Sequence, residues 1–344
     1  MRHKSLNYCK AVFVIMILML SLISCKKERD LNNDLNNLIF SSEDPISYIY
    51  WSESSNRILF IIENPYVSYG LSVMIYTVDI NTKKSGKVVD ILNQSGYSIC
   101  LSNNKIFYTN HLDPGNIKLY SWDMSEQTCE LVKDSLINPH LSKKYLAYIK
   151  NISNDQTSSW TTVLCDLENG SEKIIVPGSN NFPLSFSPDG NRLLLGITDN
   201  QDGIPILVNT MTGDITSLTL SYYSGACGYF WKEDEVYTMY KNDLECSVQN
   251  MRTGDILISS EDLDNGCSCS FNFSPSGQFI YYVNELRTAQ GTLEKSYLNM
   301  INTNDLEKTV IDLGNILVYA AKFSPDETRI AYIGDNNKIY ILNL

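Results

Sequence analysis

The sequence of 344 residues predicts an all-β protein, a seven-bladed β-propeller of four-stranded antiparallel blades closed by an N-terminal strand. Three observations predict it. Short apolar runs rich in Ile, Val, Leu, Tyr and Phe alternate with turn residues along almost the whole chain, and no long 3.6-residue periodicity interrupts them. A motif recurs, as Phe186-Ser187-Pro188-Asp189-Gly190, Phe273-Ser274-Pro275-Ser276-Gly277 and Phe323-Ser324-Pro325-Asp326, with degenerate copies at Trp51-Ser52, Leu101-Ser102, Leu141-Ser142 and Trp231-Lys232. The seven anchor positions are separated by 50, 40, 45, 45, 42 and 50 residues, which is the length of a four-stranded blade.

Residues 1–24 come first, with Arg2, Lys4 and Lys10 ahead of the apolar run Ala11 to Ile23. That is the shape of a signal peptide, and the run is shorter than the roughly 20 residues a spanning helix needs. Leu22-Ile23-Ser24-Cys25 resembles the bacterial lipobox. The resemblance implies cleavage before Cys25, acylation of that cysteine, and a body outside the cytoplasm that meets the membrane through its lipid anchor only. Residues 25–36 are then the lipidated cysteine and a polar tether. Lys26 after the cysteine, where an inner-membrane retention signal would have Asp, points to the outer membrane; the leaflet is not specified.

The propeller is expected over 37–344. Asn37-Leu38-Ile39-Phe40 is an apolar strand with no neighbour of its own, whereas the seventh unit, with strands near Val318 to Phe323, Arg329 to Ile333 and Lys338 to Leu342, lacks a fourth strand. The first therefore completes the second and hides its edge. Within each unit the Ser-Pro-Asp-Gly turn joins two strands, since Pro fixes φ, Asp bonds nearby backbone and Gly accepts a left-handed conformation. A third strand, such as Thr162 to Leu167 or Ile206 to Thr210, runs to a turn such as Asn169-Gly170, Thr212-Gly213 or Thr253-Gly254, and a fourth follows.

The Phe-Ser-Pro-Asp-Gly motif, followed by an apolar strand and a third strand ending in Asp166-Leu167, resembles the TolB-type relative of the WD repeat over residues 37–344. The resemblance implies a fold more than an activity, because one fold hosts many functions. The chain has no room for the additional N-terminal domain of TolB, so a role in the Tol system does not follow.

Composition narrows the function. With 27 Lys+Arg against 39 Asp+Glu the net charge is −12, which excludes nucleic acid as an expected partner. Removing residues 1–24 takes away three basic residues and no acid. Seven cysteines remain beyond Cys25, an odd number scattered mostly through apolar runs, and they are expected as mainly buried thiols. His111 and His140, the histidines that survive cleavage, read as surface-loop residues, and no Gly-x-Ser-x-Gly elbow of the propeller-linked hydrolases is present: Gly70-Leu71-Ser72-Val73 meets Met74. Oligogalacturonate lyases are similar propellers that hold a metal with several histidines, a set that two histidines do not supply. Asp199-Asn200-Gln201-Asp202-Gly203 has oxygen ligands for Ca²⁺ but lacks the spacing and the terminal Glu of an EF-hand loop. No cofactor or metal is expected.

Loops between second and third strands and between blades should gather at one end of the ring, and rigid scaffolds carry function on such loops. The candidates there are Tyr66, Tyr69, Tyr97, His111, Trp160, Tyr222, Tyr223 and Arg287. Aromatic rings beside Arg and Asn suit a protein contact or a stacked sugar. The expected function is a non-enzymatic envelope lipoprotein, a monomeric propeller binding an envelope protein or a glycan. The alternative is an enzyme acting on carbohydrate or peptide with paired carboxylates at the channel mouth.

Overall fold

The structure, a computed structural model, describes residues 29–30, 38–52, 54–64, 71–93, 99–102, 105–113, 116–154, 157–176, 181–197, 205–219, 226–232, 234–241, 246–259, 271–335 and 337–344. Among them every regular element is a β-strand, and the strands form six antiparallel meanders arranged like a propeller.

The recurring serine builds the first hairpin of a meander. Ser187 donates its N–H to the Arg192 carbonyl at 3.0 Å, and its hydroxyl oxygen accepts the Arg192 N–H at 2.9 Å while donating to Asp189 at 2.6 Å. Gly190 then turns back with a φ of 73° and donates its N–H to the Ser187 carbonyl. Ser324 repeats the pattern with Arg329 and Asp326, and Ser52 and Ser274 repeat its backbone part with Arg57 and Phe279. Ser187, Ser274 and Ser324 are buried, so these bonds are made where water cannot replace them.

The third strand also ends on a repeated device. Asp79, Asp123, Asp166, Asn209, Asn250 and Asn302 each accept, on the side-chain Oδ1, the N–H two residues on. Each also accepts, on the carbonyl, the N–H four residues on, and that fourth residue has positive φ: Lys83, Gln127, Gly170, Gly213, Gly254 and Leu306. Three of the six turns thus form without the expected glycine, because the Asx side chain holds the loop.

Four sheets have four strands. They are Ile46–Trp51, Arg57–Asn64, Leu71–Asp79 and Ser85–Asn93; then Asn181–Phe186, Arg192–Ile197, Ile206–Asn209 and Ile215–Ser217; then Ala226–Lys232, Glu235–Lys241, Cys246–Asn250 and Ile256–Ile258; and last Val318–Phe323, Arg329–Gly334, Lys338–Asn343 and the N-terminal Leu38–Ser41. Leu38–Ser41 lies antiparallel to Lys338–Asn343, which is the expected closure. A fifth sheet, Asn272–Phe273, Phe279–Arg287, Leu293–Asn302 and Lys308–Asp312, carries Arg29–Asp30 as a parallel outer strand. Two residues of the expected tether are therefore paired with the body.

The sixth sheet has seven strands, from Ile99–Ser102 to Glu172–Ile174, joined through the long strand Thr128–Leu141. Its first part pairs with Asn116–Asp123 and its last with Tyr145–Asn154; positive φ at Ser135 and Asn138 marks the bend between them. The two parts pack on each other: Phe107, Leu119 and Leu136 lie against Leu146, Tyr148 and Val163.

Packing runs from sheet to sheet around a ring. Leu59 and Ile61 meet Ile106 and Tyr108, Tyr145 and Leu164 meet Leu193 and Leu195, and Leu194 and Leu207 meet Trp231 and Val236. Val248 and Ile258 meet Ile280 and Tyr282, Tyr281 and Leu298 meet Phe323 and Ile330, and Ile333 and Ile341 of the last sheet meet Ile49 and Phe60 of the first. Middle strands such as Arg192–Ile197 are buried on both faces, which is why they read as unbroken apolar runs. First strands of neighbouring sheets touch where Thr128–Leu141 meets Asn181–Phe186, where Ala226–Lys232 meets Asn272–Phe273 and where Val318–Phe323 meets Ile46–Trp51, whereas the short fourth strand Glu172–Ile174 is wholly exposed.

Two expectations are corrected here. His140 is not in a surface loop: it lies in the strand Thr128–Leu141, half-buried. Cys129 is exposed on that strand rather than buried, beside the Tyr108 hydroxyl at 3.2 Å, while Cys165 is buried and Cys100 half-buried.

Candidate functional site

Of the residues singled out from the sequence, Cys25, Tyr66, Tyr69, Tyr97, Tyr222 and Tyr223 lie outside the described residues, as does the Asp199 to Gly203 segment. His111 is placed by its backbone in Lys105–Asp113, paired with Ile117. Trp160 is 44% exposed in Thr157–Asp166. Arg287 ends the strand Phe279–Arg287, bound to Glu285 at 2.6 Å and to the Gly291 carbonyl at 2.9 Å. Trp160 and Arg287 stand on separate sheets.

The repeat itself points to a different constellation. The residue before the motif's aromatic or Leu occupies one equivalent place near the end of each first strand: Tyr50, Cys100, His140, Ser185, Phe230, Asn272 and Lys322. Its neighbour, the motif residue, turns into the core, as Trp51, Phe273 and Phe323 do. Strand alternation sends the preceding side chain to the opposite side. These positions recur once per unit and form a layer next to the first hairpin turns, in which Tyr50 also packs on the core of Leu59, Ile61 and Ile106 and the side chain of Phe230 lies outside the described residues.

Two of these positions meet directly: the Lys322 ammonium donates to Asn272 Oδ1 at 3.0 Å across two sheets. Indole N–H groups pin the register: Trp51 donates to the Lys322 carbonyl at 2.9 Å, and Trp231 to the Ser185 hydroxyl at 3.1 Å.

Lys322 is solvent-accessible, but burial lowers its pKa; burial also brings His140 down to about 4, so its imidazole is neutral near pH 7. Burial, reinforced by Tyr48 and Cys100, pushes Tyr50 up to about 12, which keeps its hydroxyl a proton donor. For His140 and Lys322 burial is the cause of the shift among the described residues. Among the described side chains of the layer, Lys322 offers an ammonium and Tyr50, Cys100, His140, Ser185 and Asn272 offer neutral polar groups.

A second polar cluster lies on the outer rim. Glu172 accepts from Tyr148 at 2.8 Å and pairs with Lys133 and, at 3.8 Å, with Lys150. The Lys133 hydrogen bond is the largest influence on its carboxyl, which stays below the usual range. Beside it Tyr145, Leu164, Asp166, Lys173 and Met211 line a cavity of about 250 Å³ between two sheets. Among the described residues no group of three or more His, Cys, Asp or Glu is placed to hold a metal.

No sequence-family model matches the chain, and no curated protein matches it. Solved structures do. An oligogalacturonate lyase from Vibrio parahaemolyticus aligns with a TM-score of 0.60 at 12% identity, covering 90% of this chain and 94% of that one. The β-propeller domain of the Trilobed protease from Pyrococcus furiosus, described as having an open velcro topology, aligns at 0.54 and 13%, covering 76% and 84%. TolB from Acinetobacter baumannii aligns at 0.45 and 17% over 76% of this chain, which spans 64% of the TolB chain. The first two likenesses show the β-propeller fold and nothing finer.

Proposed function

We propose that the chain is a bacterial cell-envelope lipoprotein, cleaved before Cys25 and acylated there, whose seven-bladed propeller is a non-enzymatic binding platform for an envelope protein or a glycan. The seven-blade count draws support from the sixth sheet, whose two halves pack on each other like neighbouring blades. It draws further support from Asn343, which stands where the six turn-forming Asx residues stand. Leu344 donates its N–H to the Thr328 carbonyl just as Thr303 does to that of Gln278.

The observation that carries the binding reading is the make-up of the layer beside the first hairpin turns. Lys322 held on Asn272, with Tyr50, Cys100, His140 and Ser185 at equivalent places, supplies polar groups suited to holding a ligand. The tyrosines expected in the loops would supply the contact area for a macromolecular partner.

Two experiments test the reading. Metabolic labelling with palmitate should mark the wild type and not Cys25→Ser; an unlabelled wild type removes the anchor. Crosslinking and affinity capture from native membranes should yield a partner that is depleted in a folded Tyr66→Ala, Tyr69→Ala, Tyr222→Ala, Tyr223→Ala variant. No depletion removes the platform from the loop face, and turnover of glycans or peptides by the wild type removes the non-enzymatic assignment.

A further inference from the structure

We infer that the folded body rests on a lipid bilayer at the turn 302–307, with Leu306 as its apolar contact. The inference rests on the acylated Cys25 proposed above and adds to the lipid anchor a contact made by the protein itself.

Where the chain enters the fold limits which side can face a membrane. Arg29–Asp30 pairs parallel with Lys308–Asp312, the fourth strand of its sheet, and so forms one edge of that sheet. The opposite edge, Asn272–Phe273, is the one that touches Ala226–Lys232 of the neighbouring sheet. Four positions separate Cys25 from Arg29, a reach of at most about 14 Å. That is less than the roughly 19 Å across a sheet of five strands, so the acyl chains emerge on the side of this edge. Without the pairing, Leu38–Ser41 would be the first strand held, and the reach from Cys25 would grow to about 47 Å.

The pairing also has a direction. Both strands run the same way, so the N-terminal end of Arg29–Asp30 points back along Lys308–Asp312 toward the turn 302–307. The register sets Asp30 opposite Asp312, an arrangement that like charges disfavour, and the Lys295 ammonium donates to the Asp312 carboxylate and offsets it. Lys308–Asp312 is half-buried over most of its length, whereas the corresponding Glu172–Ile174 is exposed throughout.

Leu306 supplies a second, independent observation. It occupies the left-handed position of its turn, with a φ of 61°, where the equivalent residues are Lys83, Gln127 and three glycines. A leucine is poorly suited to that conformation. Its side chain is 45% exposed and belongs to none of the described core clusters, so packing within the described chain does not offset the strain. Strain kept on an exposed apolar side chain points to a contact outside the chain, and of the six turns this is the one toward which the N-terminal strand points. The exposed acids Asp305 and Glu307 flank it, so the contact is apolar and suits a zwitterionic lipid surface better than an anionic one.

The test places a photoreactive benzoylphenylalanine at position 306 or, as a control, at position 127, where Gln127 is exposed at the equivalent place of another sheet. The full acylated protein is reconstituted in phosphatidylcholine vesicles, and lipid adducts are measured by mass spectrometry. Adducts at 306 should exceed those at 127 roughly tenfold. Two changes should bring 306 down to the level of 127. Arg29→Pro with Asp30→Pro removes the backbone donors of the edge strand, and a flexible Gly-Ser insertion before Arg29 lengthens the leash while leaving the strand itself unaltered. Thermal melts establish that each variant folds, and palmitate labelling that each is acylated. Equal adducts at 306 and 127 in the acylated protein, or an excess at 306 that survives both changes, overturns the inference and leaves the anchor standing. A wild type that is neither labelled nor bound to vesicles overturns the anchor, and the inference with it.

Discussion

Trp51 and Lys322 are 271 positions apart, and the Trp51 indole N–H donates to the Lys322 backbone carbonyl at 2.9 Å. This bond spans the seam where the first sheet meets the last. Nearby, the Asp326 N–H donates to the Ser55 hydroxyl at 3.3 Å, and the Arg329 guanidinium lies 5.6 Å from the Trp51 ring.

Trp51→Phe keeps most of the apolar bulk and removes the donor. It should cost about 1 kcal/mol, read as a lower urea midpoint with an unchanged slope. An unchanged midpoint would mean that the seam does not depend on this bond.

The clasp should matter far more than the tether. Deleting residues 38–41 removes buried Ile39 and takes Phe40 away from Phe60, whose ring centroid is 4.4 Å from its own. The expected loss is roughly 5 kcal/mol or more, since one buried aliphatic alone is worth about 2 to 5 kcal/mol. Deleting residues 26–34 takes away one two-residue pairing and should move the melting temperature by only a few degrees. Equal effects would contradict the closure described above.

Two glycines separate backbone strain from crowding. Gly213 has a φ of 83° with nothing near the place of a Cβ, so Gly213→Ala should cost about 1 kcal/mol. Gly277 has a φ of 75°, and a Cβ there would lie 2.6 Å from the Lys232 backbone of the neighbouring sheet. Gly277→Ala should therefore cost about 1 to 3 kcal/mol beyond that. Paired urea melts check the difference.

Acid should loosen the hairpin turns. Burial raises the Asp326 pKa, but hydrogen bonds from Ser324 and Thr328 and the charge of Arg329 outweigh it and bring the value to about 2. A carboxyl depressed in the folded state contributes stability above its unfolded pKa near 4, and that contribution is lost as pH falls through about 2. Asp189 shifts in the same direction. Stability of the wild type should thus decline between about pH 4 and pH 2, and Asp326→Asn should flatten that decline. A parallel decline in the variant would assign the acid sensitivity to other groups.

The fold was legible where one residue does several jobs. Ser187 and Ser324 each make a backbone pair, a side-chain bond to that pair and a cap on an Asp, so few substitutes exist and the motif repeats visibly. Turns at Lys83, Gln127 and Leu306 were hidden because Asp79, Asp123 and Asn302 hold the loop without glycine. The strand Thr128–Leu141 was hidden for the opposite reason: Asn138-Pro139 reads as a break, but the chain only bends there and continues into the next sheet. The layer beside the first hairpin turns was missed because its seven residues share no chemistry. The usable signal was a position that varies from Tyr50 to Lys322 inside a motif that otherwise repeats, as expected where packing does not dictate the side chain.

Closure by Leu38–Ser41 has a consequence for biosynthesis. A chain made from its N-terminus presents this strand early, while its partner Lys338–Asn343 follows every other described strand. Intermediate sheets can stack as they emerge, because each packs on its sequence neighbour, but the ring cannot shut until Lys338–Asn343 has emerged. During that interval Ile39 and Phe40 are exposed on an unpaired strand, a condition that invites pairing with other chains. A requirement for chaperone protection should therefore centre on these few residues and end once Lys338–Asn343 has paired with them.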